Sequence, residues 1–120
     1  MRTTLELLQD AAIVLSQGGS VKERFAHAYL SHLTTLDAAQ LPEAYRTEFG
    51  DMCEALRRER PLPRENPALA SIRKMSSNEA SQYAALVVRL YAAVARSGSV
   101  TSITRPPSLA PVLQLFAADG

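Results

Sequence analysis

The histidines and the single cysteine are the side chains with the greatest catalytic potential in this sequence. His27 and His32 are five positions apart on a predicted helix, so they lie about 140° apart around its axis. That separation prevents the two imidazoles from binding one metal ion within the helix. We expect His27 to face solvent and His32 to be a hydrogen-bonded residue on the apolar side of the helix.

Cys53 could act as a nucleophile if a neighbouring base or cation lowered the pKa of its thiol. It flanks the apolar side of a predicted helix and borders no basic residue. The sequence therefore predicts a buried, unreactive thiol. A lone cysteine also makes no intramolecular disulfide, and a reducing cytoplasm is the expected location.

Other arrangements that support catalysis are missing from the sequence. It contains no His-Glu-x-x-His, no Gly-x-Ser-x-Gly, no calcium-loop pattern and no glycine spacing suited to phosphate. The acidic residues Glu48, Asp51 and Glu54 lack the apolar surroundings that would raise a carboxyl pKa, so we expect a solvated face there. These observations predict a protein that is not an enzyme and that uses no cofactor and no metal.

Composition indicates one soluble domain. The chain has 120 residues, 47% hydrophobic and 21% charged, with a formal net charge of +1, so charge alone does not favour nucleic acid or a membrane surface. No apolar run approaches the roughly eighteen residues of a membrane span. The early acids Glu6 and Asp10 argue against a signal peptide. We expect no membrane association.

Helix starts are marked by three capping boxes and two prolines. The first helix is expected to end near residue 16, the second near residue 35, and the long last helix near residue 96. Between them, Pro42 is predicted as the first residue of a third helix, and Asn66 caps a short helix that starts at Pro67. The capping boxes are Thr3-x-x-Glu6, Ser20-x-x-Glu23 and Ser76-x-x-Glu79.

Apolar spacing predicts which faces of these helices are buried. The short helix should bury Leu69 and Ile72, and Met75 should close over the core. Glu54 and Arg58 are spaced for an exposed ion pair. The buried face of the third helix is predicted to comprise Tyr45, Phe49, Met52, Cys53 and Leu56.

The resulting fold prediction is all-α. We expect a compact bundle of four main helices plus one short helix over residues 1–98. Three prolines make residues 60–67 a semi-rigid connector. Residues 99–120 are predicted to form a Pro-rich, apolar tail that is flexible or docks on a partner.

A basic segment is the first predicted binding surface. Between residues 57 and 74, six cations are accompanied only by Glu59 and Glu65, an arrangement suited to nucleic-acid phosphates or an acidic protein surface. The alternative is that the cations stabilise helix ends and keep the connector soluble. The cations are Arg57, Arg58, Arg60, Arg64, Arg73 and Lys74.

Surplus apolar surface forms the second predicted binding surface. The broad apolar face of the last helix, together with Leu109, Leu113 and Phe116 in the tail, exceeds what a small bundle covers. Either a partner or a second copy covers it, or the tail folds back over its own bundle. The sequence thus predicts a non-enzymatic protein–protein interaction module, an adaptor or small regulatory subunit. A nucleic-acid-associated regulator is the alternative.

Overall fold

Five α-helices, one π turn and one 3-10 turn make up the part of the chain that the structure describes, and no strand occurs in that part. In the computed structural model, this part covers residues 2–102, with side chains described to residue 97. The all-α prediction is confirmed. The helices are α1 (Thr4–Leu15), α2 (Val21–Ala28), α3 (Glu43–Ala55), α4 (Pro67–Lys74) and α5 (Ser77–Ser102).

The predicted caps begin α1, α2 and α4. The hydroxyls of Thr3 and Ser20 each accept the N–H of the glutamate three residues later, and that glutamate accepts the cap N–H in return. Asn66 accepts the N–H of Ala68, with Pro67 in the first turn of α4. These bonds satisfy amide groups that have no partner within the helix.

The second helix changes its winding before it ends. The α-helical part stops at Ala28, and Tyr29–Leu33 forms a π turn in place of the predicted continuous helix to about residue 35. In the π turn each backbone bond spans five residues instead of four. The segment contains no glycine or proline, so no residue type marks it in the sequence.

The start of α3 differs by one residue from the prediction. Pro42 has extended backbone and occupies the N-cap position, and Glu43 is the first helical residue. The preceding connector contains a short 3-10 helix, Ala38–Gln40, whose first N–H groups are organised by the Asp37 carboxylate. The predicted buried face is confirmed at Phe49, Met52 and Leu56, whereas Tyr45 and Cys53 are only partly buried.

The prediction that Leu69 is buried is wrong. Leu69 is 40% exposed, while Ile72 and Met75 are buried as predicted. The buried side of α4 instead includes Ser71, which is 2% exposed and whose hydroxyl accepts the Glu59 N–H at 3.1 Å. Since that hydrogen bond satisfies the hydroxyl, a polar residue can lie in the core, and the apolar stripe is rotated away from Leu69.

One apolar core joins all five helices. Leu8 of α1, Phe25 of α2 and Leu90 of α5 are completely shielded from solvent. The ring of Phe25 stacks on that of Tyr83, with centroids 5.9 Å apart. Burial of this kind supplies most of the stability of a small helical domain.

Three basic side chains donate hydrogen bonds to backbone carbonyl groups at the ends of helices and in the connector before α3. Arg24 donates to the Leu15 carbonyl at the end of α1 at 2.7 Å, and Lys22 donates to the Arg73 carbonyl at 2.8 Å. Arg46 donates to two carbonyls of the connector before α3. Each satisfies carbonyl groups that a helix or turn leaves without a backbone partner.

The last helix is longer than predicted. It continues past residue 96 and through Gly98 to Ser102. The proposed boundary between residues 98 and 99 therefore falls within the helical range. The division into a bundle and a tail remains a prediction, since residues 103–120 lie outside the described part of the chain.

Candidate protein-docking surfaces

The basic segment is less cationic in the fold than in the sequence. All six predicted cations are exposed, but Arg58 forms a bidentate ion pair with Glu79, at 2.8 and 3.3 Å. Arg73 binds Glu65, with Nε 3.1 Å from Oε2. Within the described residues, this leaves Arg57, Arg60, Arg64 and Lys74 without an ion pair.

The predicted Glu54–Arg58 pair does not form. Arg58 is directed to Glu79 on α5, which also accepts a hydrogen bond from the Tyr83 hydroxyl at 3.2 Å. The hydrogen bond from Arg58 is the main reason that the pKa of Glu79 is lowered. Glu79 therefore connects the end of α3 to α5. The capping box predicted at Ser76 is only half formed, because Ser76 accepts the Glu79 N–H while the Glu79 carboxylate is directed to Arg58.

Cys53 has the surroundings of an unreactive thiol. It is half-buried, and desolvation raises the pKa of its thiol above the ordinary 9.0. The interpretation that it borders no basic residue needs correction, because Arg57, one helical turn later, acts on it and partly offsets the increase in pKa. Desolvation likewise raises the pKa of Tyr29, which lies near the thiol. Nothing in this cluster generates a thiolate.

The histidines remain separate. His27 is exposed, as predicted, and His32 is partly buried in the π turn. Within residues 2–97 no group of three histidine, cysteine or acidic side chains is arranged to hold a metal ion.

Most of the surplus apolar surface predicted on the last helix is covered by the bundle. On α5, Gln82, Arg89 and Arg96 are exposed, whereas eight apolar side chains are buried or partly buried: Ala80, Tyr83, Ala84, Leu86, Val87, Leu90, Tyr91 and Val94. Val88, at 46% exposure, is the large apolar side chain of α5 left in solvent within the described region. The tail residues Leu109, Leu113 and Phe116 lie outside the described part of the chain.

A groove between α2 and α4, here called the α2–α4 groove, presents apolar surface that sequence reasoning missed. Its volume is about 580 Å³. Ala26, Leu69 and Ile72 form the apolar part, and the remaining lining residues are polar or charged. Leu69 was the residue in the sequence that could have indicated this groove, but helical periodicity assigned its side chain to the core. The other lining residues are Ser20, Lys22, Glu23, Glu65 and Arg73.

The charged rim of the α2–α4 groove is held by bonds within the protein. Glu65 binds Arg73, Lys22 donates to the Arg73 carbonyl, and Glu23 accepts the Ser20 N–H. Two cations and two carboxylates give the rim no net charge. Because its charges are already engaged, the rim needs no counter-charge from a ligand, and Leu69 is the large apolar side chain of the floor that the described residues leave exposed.

A second groove, the α3–α5 groove, lies between those two helices. It consists of two adjoining cavities of about 450 and 420 Å³ that share Asp51 and Tyr83. Ala85 contributes exposed apolar surface, and Leu86 is buried at the base of the groove. The cavities also contact Arg89, whose guanidinium lies 3.4 Å from the Glu48 carboxylate, and Arg58, which is paired with Glu79.

The charge of the α3–α5 groove is negative. Its cations Arg58 and Arg89 are both paired, whereas the carboxylates of Asp51 and Glu54 have no ion pair within the described residues. Asp51 and Glu54 are exposed and lie one turn apart on α3. The predicted solvated acidic face is therefore one wall of a groove.

The connector between α3 and α4 carries a tight turn at Leu62–Glu65, and the segment Arg60–Arg64, which includes its first three residues, is here called the connector turn. The Glu65 N–H donates to the Leu62 carbonyl at 2.9 Å, and the Leu62 N–H donates to the Glu65 carboxylate at 3.0 Å. Pro63 occupies the second position and Arg64 the third, with φ +68°. That is the arrangement of a turn whose third position favours glycine.

The connector turn exposes its apolar residue. Leu62, at 61% exposure, is the most exposed of the large apolar side chains that the structure describes. Arg60 and Arg64 flank it, and both are exposed. Glu65 fixes the turn to α4 through Arg73.

Comparison of the chain with protein-family models, with curated proteins and with solved structures gave no match. Among the described residues, no helix is both long enough and apolar enough to cross a bilayer.

Proposed function

We propose that this protein is a non-enzymatic interaction module, an adaptor or small regulatory subunit that binds a segment of a protein partner. The α2–α4 groove carries the proposal. Its floor exposes Leu69, and its rim charges are engaged by the Arg73–Glu65 ion pair and by hydrogen bonds to the backbone. An apolar centre inside a polar rim is the usual anatomy of a protein interface.

The shape of the groove favours a helical ligand. Two neighbouring helices leave a channel into which the apolar face of a third helix fits, with apolar side chains spaced three and four residues apart. Leu69 and Ile72 are themselves three residues apart on α4. We infer that the ligand is an amphipathic helix whose apolar face covers Leu69.

Affinity capture from the source cell, with and without nuclease, tests this function. Wild-type protein and the control Ile13→Glu should retain the same protein partner, whereas Leu69→Glu should lose it. Ile13 is a suitable control because it is also exposed, at 50%, but does not line the α2–α4 groove. Equal capture by all three proteins, or loss of the captured material after nuclease treatment, contradicts the proposal.

The predicted tail contribution has a separate test. If Leu109, Leu113 and Phe116 contribute to association, a chain that ends at residue 105 should bind its partner or itself more weakly than the full chain. Unchanged association removes the tail from the proposal, while the α2–α4 groove remains tested by Leu69→Glu.

A nucleic-acid-associated regulator is the second candidate. It is favoured by four exposed cations without an ion pair in the described residues, Arg57, Arg60, Arg64 and Lys74. Binding to nucleic acid should then weaken steeply with salt, because each phosphate contact releases counterions. Alanine at Arg57, Arg60 and Arg64 should reduce both the affinity and the salt slope. If neither the affinity nor the salt slope changes, residues 57–74 are not the nucleic-acid-binding surface.

A further inference from the structure

The α3–α5 groove and the connector turn have opposite charges and matching apolar surfaces. The groove offers two unpaired carboxylates, Asp51 and Glu54, beside apolar surface from Ala85 and the ring of Tyr83. The turn offers two unpaired cations, Arg60 and Arg64, on either side of the exposed Leu62. Two negative charges face outward on one surface and two positive charges on the other.

We propose that the connector turn of one copy of this chain docks into the α3–α5 groove of a second copy. Leu62 then covers the apolar surface of Tyr83 and Ala85. Arg60 and Arg64 reach the carboxylates of Asp51 and Glu54. The occupant is a second copy because this chain itself carries a segment with the charge, the apolar residue and the exposure that the groove requires.

The connector turn is prepared for docking by its rigidity. Prolines on both sides of Leu62 restrict the backbone, and Glu65 ties the turn to α4 through its bonds to the Leu62 N–H and Arg73. A segment already ordered before binding loses little conformational entropy when it docks. The positive φ of Arg64 fits this interpretation, since strained backbone is retained where the surrounding structure holds it.

The contact is small, so the association should be weak. One turn in one groove covers less surface than a stable dimer interface does. We therefore expect self-association in the micromolar to millimolar range, and it should weaken as salt screens the charges. This contact involves neither Leu69 nor the α2–α4 groove, and it is independent of the proposed partner binding.

Sedimentation velocity of the full chain, up to about 1 mM, tests the proposal. Wild-type protein should show concentration-dependent association. A turn variant, Arg60→Glu with Arg64→Glu, and a groove variant, Asp51→Lys with Glu54→Lys, should each associate at least tenfold more weakly. Leu62→Ser should have the same effect without any change in charge. Circular dichroism should show native helix content in all of them.

A mixture of the two charge variants gives the sharpest outcome. The two reversed surfaces are complementary, and the remaining wild-type turn and wild-type groove are complementary as well, so the mixture should associate although neither variant does so alone. The control Arg57→Glu with Lys74→Glu changes the net charge as much as the turn variant, at exposed positions outside the turn, and should associate as wild type. A wild-type chain that stays monomeric, or charge variants that associate like wild type, overturns the proposal.

Discussion

Arg58 and Glu79 join the end of α3 to the first turn of α5 through two parallel hydrogen bonds, Nη2 to Oε2 at 2.8 Å and Nη1 to Oε1 at 3.3 Å. The residues are 21 positions apart in the chain. The pair also places the Glu79 carboxylate against the Tyr83 hydroxyl. It therefore links the segment that follows α3 to α5 at one end of the α3–α5 groove.

Replacing Glu79 with Gln should lower the melting temperature by at most a few degrees, because exposed ion pairs are largely screened. The effect should depend on pH. The pKa of Glu79 in the folded chain lies below its ordinary value of 4.5. The stabilisation is therefore complete above that value and is lost as pH falls through the lowered one. Melting curves of wild type and Glu79→Gln should converge between pH 7 and pH 3; a constant difference contradicts this account.

Cys53 should react slowly with thiol reagents in the native protein. Desolvation raises the pKa of its thiol, so little thiolate is present near neutral pH. Arg57→Ala removes the positive charge that opposes this increase, and it should raise the pKa further and slow labelling. The rate of thiol labelling as a function of pH measures both effects. Faster labelling of Arg57→Ala than of wild type, with native helix content, would refute the assignment.

Ser71→Ala should destabilise the protein by about 1 kcal/mol, because it leaves the Glu59 N–H without its partner in a partly buried site. Denaturant unfolding measures the change. Ser81→Ala is the matched control, since Ser81 is exposed on a helix and alanine there should have no cost. If both variants unfold at the same denaturant concentration as wild type, the buried hydrogen bond does not contribute to stability.

Arg64→Gly should be more stable than Arg64→Ala by about 1 kcal/mol. Both variants remove the guanidinium, but only glycine adopts the positive φ of this position without a clash from its side chain. The comparison by urea unfolding thus isolates backbone strain from charge. Equal stability of the two variants would show that the turn carries no strain at Arg64.

Leu8→Ala should cost about 2–5 kcal/mol, because Leu8 is fully buried in the core and its truncation leaves a cavity. Ile13→Ala, one and a half turns later on the same helix, should change stability by no more than about 0.5 kcal/mol, because Ile13 is half exposed. The pair tests the orientation of α1 in the bundle. A larger loss at Ile13 than at Leu8 would require α1 to be rotated.

The helix starts were predictable from the sequence because capping is local. Thr3 and Glu6, or Ser20 and Glu23, satisfy each other across three residues, and no distant contact is needed. The connector between α3 and α4 was equally predictable from the sequence, since prolines exclude a helix wherever they cluster.

The surfaces were harder to predict because they depend on distant partners. Glu54 was the nearest acid to Arg58 along the chain, but packing brings Glu79 to it instead. Leu69 was assigned to the core from apolar spacing alone, and that spacing gave no sign that Ser71 is buried with its hydroxyl accepting the Glu59 N–H. Each groove is formed by helices that are not consecutive in the chain, so no local pattern indicates it.

The π turn in the second helical segment controls which side chains face the core. In a continuous α-helix, the eight steps from Phe25 to Leu33 would leave these residues about 80° apart around the axis. The wider turn advances by a smaller angle per residue, and both side chains are buried in the same core. The number of residues in Tyr29–Leu33 thus matters in addition to the burial of Leu33: loss of a single position would rotate one end of the segment relative to the other and turn either Phe25 or Leu33 away from the core.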